Sequence, residues 1–216
     1  QGCAHISEKT PSNVLVFSQL MEICPSAKYV FVLRDPLAIL ASLRRVKKNY
    51  RSRGLKPPGF VGNLYASIDF TRECIRAGFS AHNASPRKVM VVKYEHLVRH
   101  PEEATKDLCR HIGISWHPAM LRPGETAHQG ETALDGIWYD KASYYRNIDP
   151  TPSERGAGIL TPREHFAVYR AFRSNRAFAA MGYCRKAPST SPTDKVLHAV
   201  SSWLWDIYRK FRRRLP

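Results

Sequence analysis

The apolar positions of this chain change period as it proceeds, and each change marks an element. Tyr29, Val30, Phe31, Val32 and Leu33 form an unbroken β-branched and aromatic run between Lys28 and Arg34, too short for a helix, which predicts a buried strand. Asp35 then stands where an N-cap belongs and Pro36 where a first helical residue belongs, with Ile39, Leu40, Leu43 and Val46 following at helical spacing. The strand therefore runs directly into a helix. Before it, Ser12 or Asn13 caps a predicted helix carrying Val14, Leu15, Phe17, Leu20 and Met21, stopped by Pro25. After it, Asn63 to Asn83 predicts a long helix with Leu64, Ile68, Ile75 and Phe79 on one side and Gly78 as a weak point. Val89, Met90, Val91 and Val92 predict a second buried strand, followed by Lys93-Tyr94-Glu95-His96-Leu97. Pro101, with Glu102 and Glu103 in its first turn, opens a helix that Gly113 ends. Two apolar strands separated by helical segments give the α/β class, a parallel sheet flanked by helices.

The remaining pattern is less regular. From Arg122 to Ala157 the chain is polar and rich in Gly and Pro, with Trp138, Tyr139, Tyr144 and Tyr145 embedded in it. A segment of that length without periodicity suits a lid or binding loop, and its aromatics either stack on a sugar or base or pin the loop to the body. Thr161, Pro162 and Glu164 spell a capping box for a helix expected to run through Phe166, Val168, Tyr169, Phe172, Phe178 and Met181 to Gly182. The expected organisation is one domain over 1–184, a Pro/Ser/Thr linker over 185–193 and a basic amphipathic helix over 194–216. Val196, Leu197, Val200, Trp203, Leu204, Ile207, Tyr208, Phe211 and Leu215 form that last helix's expected apolar side, suiting either a membrane surface or docking against the body or a partner.

Charge changes the picture more than composition does. A formal net charge of +16 over 216 residues, with 43% hydrophobic residues, describes a globular chain with an anionic partner. From Arg185 onward eight basic and two acidic residues supply +6 of that total. Arg44, Arg45, Lys47, Lys48, Arg51, Arg53 and Lys56 form a second run without an acidic residue, either a solvated face or a funnel for a polyanion. It lacks the interleaved aromatics of a single-strand platform, which disfavours nucleic acid. Five isolated cysteines, with no CxxC, predict reduced and mostly buried thiols in place of a disulfide framework or zinc site. His96 and His100 lack a third ligand and read as surface histidines, so no metal is expected. There is no membrane-spanning run and no secretory signal, and Gln1 in place of Met leads to the expectation of a natural beginning further upstream.

Candidate chemistry gathers at the strand-to-helix junction. Unpaired N–H groups and the positive end of the helix dipole are expected where Arg34 leaves the sheet, and Ser42 follows eight residues later. A guanidinium fork and a hydroxyl would converge on a phosphate lying along the helix; the alternative is an Arg34 that salt-bridges at a sheet edge. Tyr94 stands at the carboxyl end of the second strand, where ligands of open α/β sheets collect, or anchors that strand end by its hydroxyl. Lys9 precedes a helix N-terminus, as a functional cation or as one half of a solvated charge pair.

Taken in order, Glu8-Lys9-Thr10-Pro11, Arg34-Asp35-Pro36 with Ser42, and Lys93-Tyr94-Glu95-His96-Leu97 with Pro101 resemble the sulfotransferases, in particular their bacterial and carbohydrate-type branch. The resemblance covers Glu8 to Trp116, and more weakly Leu160 to Tyr183. It implies a P-loop-NTPase-like fold and the donor 3'-phosphoadenosine-5'-phosphosulfate (PAPS), an anionic nucleotide, as co-substrate without a metal. It implies that Arg34 and Ser42 hold the donor's 3'-phosphate, that Tyr94 touches the same nucleotide, and that Lys9 lies near the reacting centre or acceptor. The family's Gly/Ser/Thr-rich loop that cradles the 5'-phosphosulfate, its first strand and its catalytic base have no counterpart from Gln1 to Ser7. A late Arg-Lys-Gly element has its nearest match in Arg155-Gly156. The expectation is thus the carboxy-terminal two-thirds of a sulfotransferase, inactive alone. The complete protein would transfer a sulfuryl group to a hydroxyl or amine of a carbohydrate, lipid or other small-molecule acceptor, and its setting would be cytoplasmic with possible peripheral membrane contact through the last helix, or the Golgi lumen in a eukaryote. A P-loop-type kinase and a non-enzymatic basic module binding nucleic acid or anionic membrane are the competing classes.

Overall fold

The computed structural model describes residues 5–125, 137–138, 147–148, 158–175, 178, 181–183 and 187–212. In chain order a 3-10 turn (Pro11–Val16) is followed by α1 (Phe17–Ile23), β1 (Tyr29–Leu33), α2 (Pro36–Ser52), α3 (Gly59–Gly62), α4 (Leu64–Ala84), β2 (Val89–Lys93), α5 (Tyr94–Arg99), α6 (Pro101–Ile112), α7 (Pro162–Phe172) and α8 (Pro192–Arg212). The chain divides into two compact units, Gln1–Leu33 with Arg72–Trp116, and Arg34–Thr71 with His117–Pro216. The cut falls within α4.

In the first unit, β1 and β2 pair in parallel from Tyr29↔Val89 to Leu33↔Lys93, giving the α/β class expected from the two apolar runs. Tyr29, Phe31 and Leu33 of β1 are buried while Val32 is 48% exposed, so the strand is covered on one face where its continuous apolar run predicts two. The covering is close. A Cβ built on Gly78 of α4 would sit 2.4 Å from Cδ1 of Phe31, so the absence of a side chain there is what lets the helix approach the strand. Gly78 therefore serves packing where the sequence predicts only a weak point. Phe79 meets Phe31 edge-on at 6.0 Å, Phe17 of α1 lies 5.1 Å from Tyr29, and His111 of α6 donates from Nε2 to the Tyr29 carbonyl at 3.2 Å. Gly113 ends α6 in the left-handed region at φ 79°, as its position predicts.

The first helical segment starts earlier and tighter than predicted. Pro11, with its fixed φ, takes the first position of a 3-10 turn, so Ser12 and Asn13 lie inside it and cap nothing; the Asn13 amide donates to the Glu8 carboxylate instead.

The second unit has its core around Val46, Val61 and Ile137, with Leu43, Tyr50, Phe60 and Trp138 packed against it. Trp138 donates from Nε1 to Tyr50 Oη at 3.1 Å, and Asn49 holds the Ile137 carbonyl at 2.9 Å. For Trp138 this is the pinning role; Tyr139, Tyr144 and Tyr145 lie outside the described residues. The capping box of α7 is complete, since Glu164 N–H donates to Thr161 Oγ1 at 3.2 Å and Thr161 N–H to Glu164 Oε2 at 3.0 Å. α7 ends at Phe172, short of the Gly182 that the sequence indicates; a turn follows, and beyond it Asn175 Oδ1 accepts from Phe178 N–H at 3.4 Å, with Phe178 again helical. Phe172, Phe178 and Tyr183 remain buried across that turn. α8 lies against the start of α4 and against α7: His198 Nδ1 is 3.0 Å from Tyr65 Oη, Phe166 meets the His198 ring at 5.4 Å, and Trp205 donates to Asp69 Oδ2 at 2.8 Å.

Replacing glycine by alanine inside a helix ordinarily gains up to about 1 kcal/mol. At Gly78 the overlap with the Phe31 ring outweighs that gain, and overpacking of this kind costs about 1–3 kcal/mol. Urea unfolding of Gly78→Ala is expected to show a less stable chain, with part of the loss recovered by adding Phe31→Leu; a more stable Gly78→Ala chain would remove the close approach from the account.

Candidate functional site

At the end of β1 the chain passes through Arg34 and Asp35 into α2. Asp35 is the N-cap, and its Oδ1 accepts from Leu37 N–H at 2.9 Å, while its carbonyl accepts from Ile39 N–H at 3.0 Å. Pro36 has no N–H to offer. The helix start is thus partly satisfied by the chain's own carboxylate, which revises the expectation of a row of open amides waiting for an anion. With the Leu37 amide taken, side chains carry more of any anion contact here. Arg34 and Ser42 are both half-buried, and Ser42 lies about 9 Å along the axis from Pro36 at the helical rise per residue. Both belong to the second unit.

Lys9 and Tyr94 belong to the first unit. Lys9 is exposed, in a segment shaped by Glu8, whose carboxylate accepts from Thr10 Oγ1 at 2.5 Å and from the Asn13 amide. Glu8 is thereby engaged with its own neighbours in this turn. Tyr94 is half-buried and is the first residue of α5, directly after β2. Leu33 pairs with Lys93, so the two strands finish at one level; Arg34 follows the first in the chain and Tyr94 follows the second. Arg155 and Gly156 lie outside the described residues.

Sequence reasoning missed a cavity of about 420 Å3 in the first unit, beside β2, α5 and α6, lined among others by Lys93, Glu95, His96, Arg99, His100 and Asp107. Glu95 is 6% exposed, an uncommon burial for a carboxylate. His96 and His100 are exposed, as expected, with ring centroids 5.1 Å apart. Residues from three elements make this wall, and only the density of ionisable groups between Lys93 and His100 hints at it in the sequence. Among the described residues no group of three or more His, Cys, Asp or Glu is placed to hold a metal ion.

The basic run on α2 and beyond is largely exposed: Arg45, Lys48, Arg51, Arg53 and Lys56 all face water. Arg44 instead reaches Glu164 of α7 at 3.2 Å. Lys47 has its pKa lowered, first by burial and then by the Arg51 and Arg44 charges, against a smaller opposing effect of Glu164. Lys47 thus lies among like charges on this helix. Of the cysteines, Cys109 is buried and Cys24 exposed, and burial, with a smaller contribution from Glu73, pushes the Cys74 thiol up to about 11; Cys3 and Cys184 lie outside the described residues.

Residues 1–118 match the model of the sulfotransferase family. The omega-hydroxy-beta-dihydromenaquinone-9 sulfotransferase of Mycobacterium tuberculosis is 28% identical over 117 residues, covering 49% of this chain and 28% of that protein. The protein-tyrosine sulfotransferase of Drosophila melanogaster is 27% identical over 128 residues, covering 56% of this chain and 23% of that protein. The chain therefore spans less than a third of the length of either relative. Among solved structures, the sulfotransferase domain from the curacin biosynthetic pathway shares the fold at a TM-score of 0.61 and 14% identity, covering 82% of this chain and 62% of that domain. The sulfotransferase domain of the Synechococcus PCC 7002 olefin synthase does so at 0.52 and 19% identity, covering 72% of this chain and 52% of that domain.

The cap and the candidate phosphate ligands are separable by mutation. Asp35→Ala is expected to lower stability by about 0.5–2 kcal/mol in chemical unfolding, and Asp35→Asn, which keeps an acceptor for Leu37 N–H, to recover most of it. Equal losses for both would show that the charge on Asp35, and not its cap bond, carries the effect.

Proposed function

Because the chain belongs to the sulfotransferase family, we propose that the complete protein moves a sulfuryl group from PAPS to a hydroxyl-bearing acceptor. In this reading the Arg34 guanidinium and the Ser42 hydroxyl grip the donor's 3'-phosphate, Tyr94 packs on the same nucleotide, and Lys9 lies near the reacting centre. The acceptor oxygen bonds to sulfur as the bond from sulfur to the bridging 5'-phosphate oxygen breaks; the acceptor's proton leaves to a base, and adenosine 3',5'-bisphosphate departs with the added negative charge. Cationic and N–H donors that meet that charge lower the barrier, and a firmly held 3'-phosphate fixes the donor for attack.

The observation that supports this best is the passage from β1 into α2. A buried strand hands the chain to Arg34, the Asp35 cap and Pro36 start α2 at once, and Ser42 follows in its second turn. The exposed cations further along α2 suit a donor with two phosphates and a sulfonate. Family membership sets aside the kinase reading of the same sequence. A hydroxyl is the acceptor class we favour because the two curated relatives are named for a hydroxylated menaquinone and for protein tyrosine.

Calorimetry with adenosine 3',5'-bisphosphate on the complete protein tests the assignment. Arg34→Ala is expected to weaken binding by about 1.5–3 kcal/mol, the range for a hydrogen bond to a charged group, or about 10- to 150-fold. Ser42→Ala, which removes a neutral donor, is expected to lose about 0.5–1.5 kcal/mol. Affinity unchanged in Arg34→Ala would overturn the phosphate role.

A further inference from the structure

The last helix is mounted with its polar side inward. His198, Trp205 and Arg209 of α8 reach Tyr65 and Asp69 of α4: His198 Nδ1 is 3.0 Å from Tyr65 Oη, Trp205 Nε1 donates to Asp69 Oδ2 at 2.8 Å, and Arg209 Nη1 is 3.6 Å from the same carboxylate oxygen. At the helical repeat these three fall on one line. The opposite side carries Val196, Val200, Trp203, Leu204, Tyr208 and Phe211, which are between 49% and 66% exposed. An amphipathic helix normally turns that stripe toward a core. Here, among the described residues, nothing covers it.

We infer that α8 rests by this outward face on the surface of an anionic lipid bilayer. Charge selects that occupant over a second copy of the chain. Lys195 and Lys210 are exposed on the same helix, Arg212, Arg213 and Arg214 follow in the sequence, and the segment from Arg185 carries +6. Its two acidic residues are locally engaged, Asp194 with Ser191 Oγ at 2.8 Å and Asp206 with Arg209 at 2.9 Å. Two chains of +16 brought together along this helix would repel, whereas an anionic leaflet attracts each added Lys or Arg. Among the described residues no helix is long and apolar enough to cross a membrane, so the helix lies in the interface. Trp203 and Tyr208, rings with a polar handle, suit the headgroup level. This inference stands independently of the sulfuryl-transfer reading.

Flotation of the full chain with vesicles of phosphatidylcholine, with and without about one-third phosphatidylserine, tests it. The chain is expected to float with the anionic vesicles, less so as salt rises, with a blue shift of tryptophan emission. Trp203→Ser/Phe211→Ser is expected to weaken that binding at least about tenfold, because two large apolar side chains no longer leave water. Lys195→Glu/Lys210→Glu is expected to weaken it as well. All four positions are exposed, so circular dichroism and unfolding midpoints should match those of the parent chain. Failure to float with anionic vesicles, binding indifferent to the apolar pair, or a dimer in sedimentation that Trp203→Ser/Phe211→Ser dissolves would each overturn the inference.

Discussion

β1 and β2 pair in parallel, and parallel strands cannot be closed by a hairpin; the chain must return the length of the strand before pairing again, and α2, α3 and α4 lie on that return. The pairing ends with Leu33 opposite Lys93, so both strands finish together, and each is followed with little or no loop by a helix, α2 after two residues and α5 at once. Compact exits of this kind fix the first residues beyond a strand, which is why Arg34 and Tyr94 are the positions where a binding role is worth assigning. Gly78 belongs to the same constraint. It lies on the helix that brings the chain back to β2, and its missing side chain is what Phe31 occupies.

Electrostatics at α2 work against the fold as well as for a ligand. Asp35 caps the helix with a carboxylate, so the phosphate that Arg34 and Ser42 are proposed to hold would share the helix start with a negative charge already there. The compensating cations come later on the same helix. The pKa of Lys47 is lowered in the folded chain, which means its charged form is disfavoured relative to the unfolded chain; below that lowered value the charge costs stability, and the cost disappears only above the unfolded value of 10.5. Burial is the larger cause and the Arg51 and Arg44 charges the next. A polyanion bound beside this helix would offset the repulsive part, so ligand affinity and relief of cationic crowding are two views of one interaction.

Much of this was legible in the sequence because the deciding interactions are local. The run Tyr29 to Leu33 and the Asp35-Pro36 start need only neighbours, and the reciprocal bonds of Thr161 and Glu164 are written in a three-residue spacing. What was not legible depends on contacts distant in sequence or on a competing local bond. Gly78 reads as a helix defect until Phe31 is placed over it. The apolar pattern continues past Phe172, yet α7 stops there at a turn and Phe178, whose amide Asn175 Oδ1 accepts, is helical again beyond it. The wall of Lys93, Glu95, His96, Arg99, His100 and Asp107 needs three elements to form. For the candidate site, the sequence shows where Arg34 and Ser42 fall relative to the strand and the helix, whereas the share of the helix start taken by the Asp35 carboxylate shows only in its bond to Leu37 N–H.

The orientation of α8 is what the sequence leaves most open. Periodicity predicts an amphipathic helix correctly, but it says nothing about which side meets the rest of the chain, and the usual assumption sends the apolar stripe inward. Asp69 reverses the choice. It accepts from Trp205 and lies beside Arg209, so one carboxylate on α4 fixes two residues a turn apart on the polar side of α8, and the His198 ring packs between Tyr65 and Phe166 nearby. A charged side chain held by a carboxylate and an indole N–H are directional anchors; an apolar stripe is not. With directional contacts on one side, the apolar area on the other stays unburied among the described residues, and an exposed apolar stripe of this size beside basic residues is the physical ground on which the lipid surface is proposed.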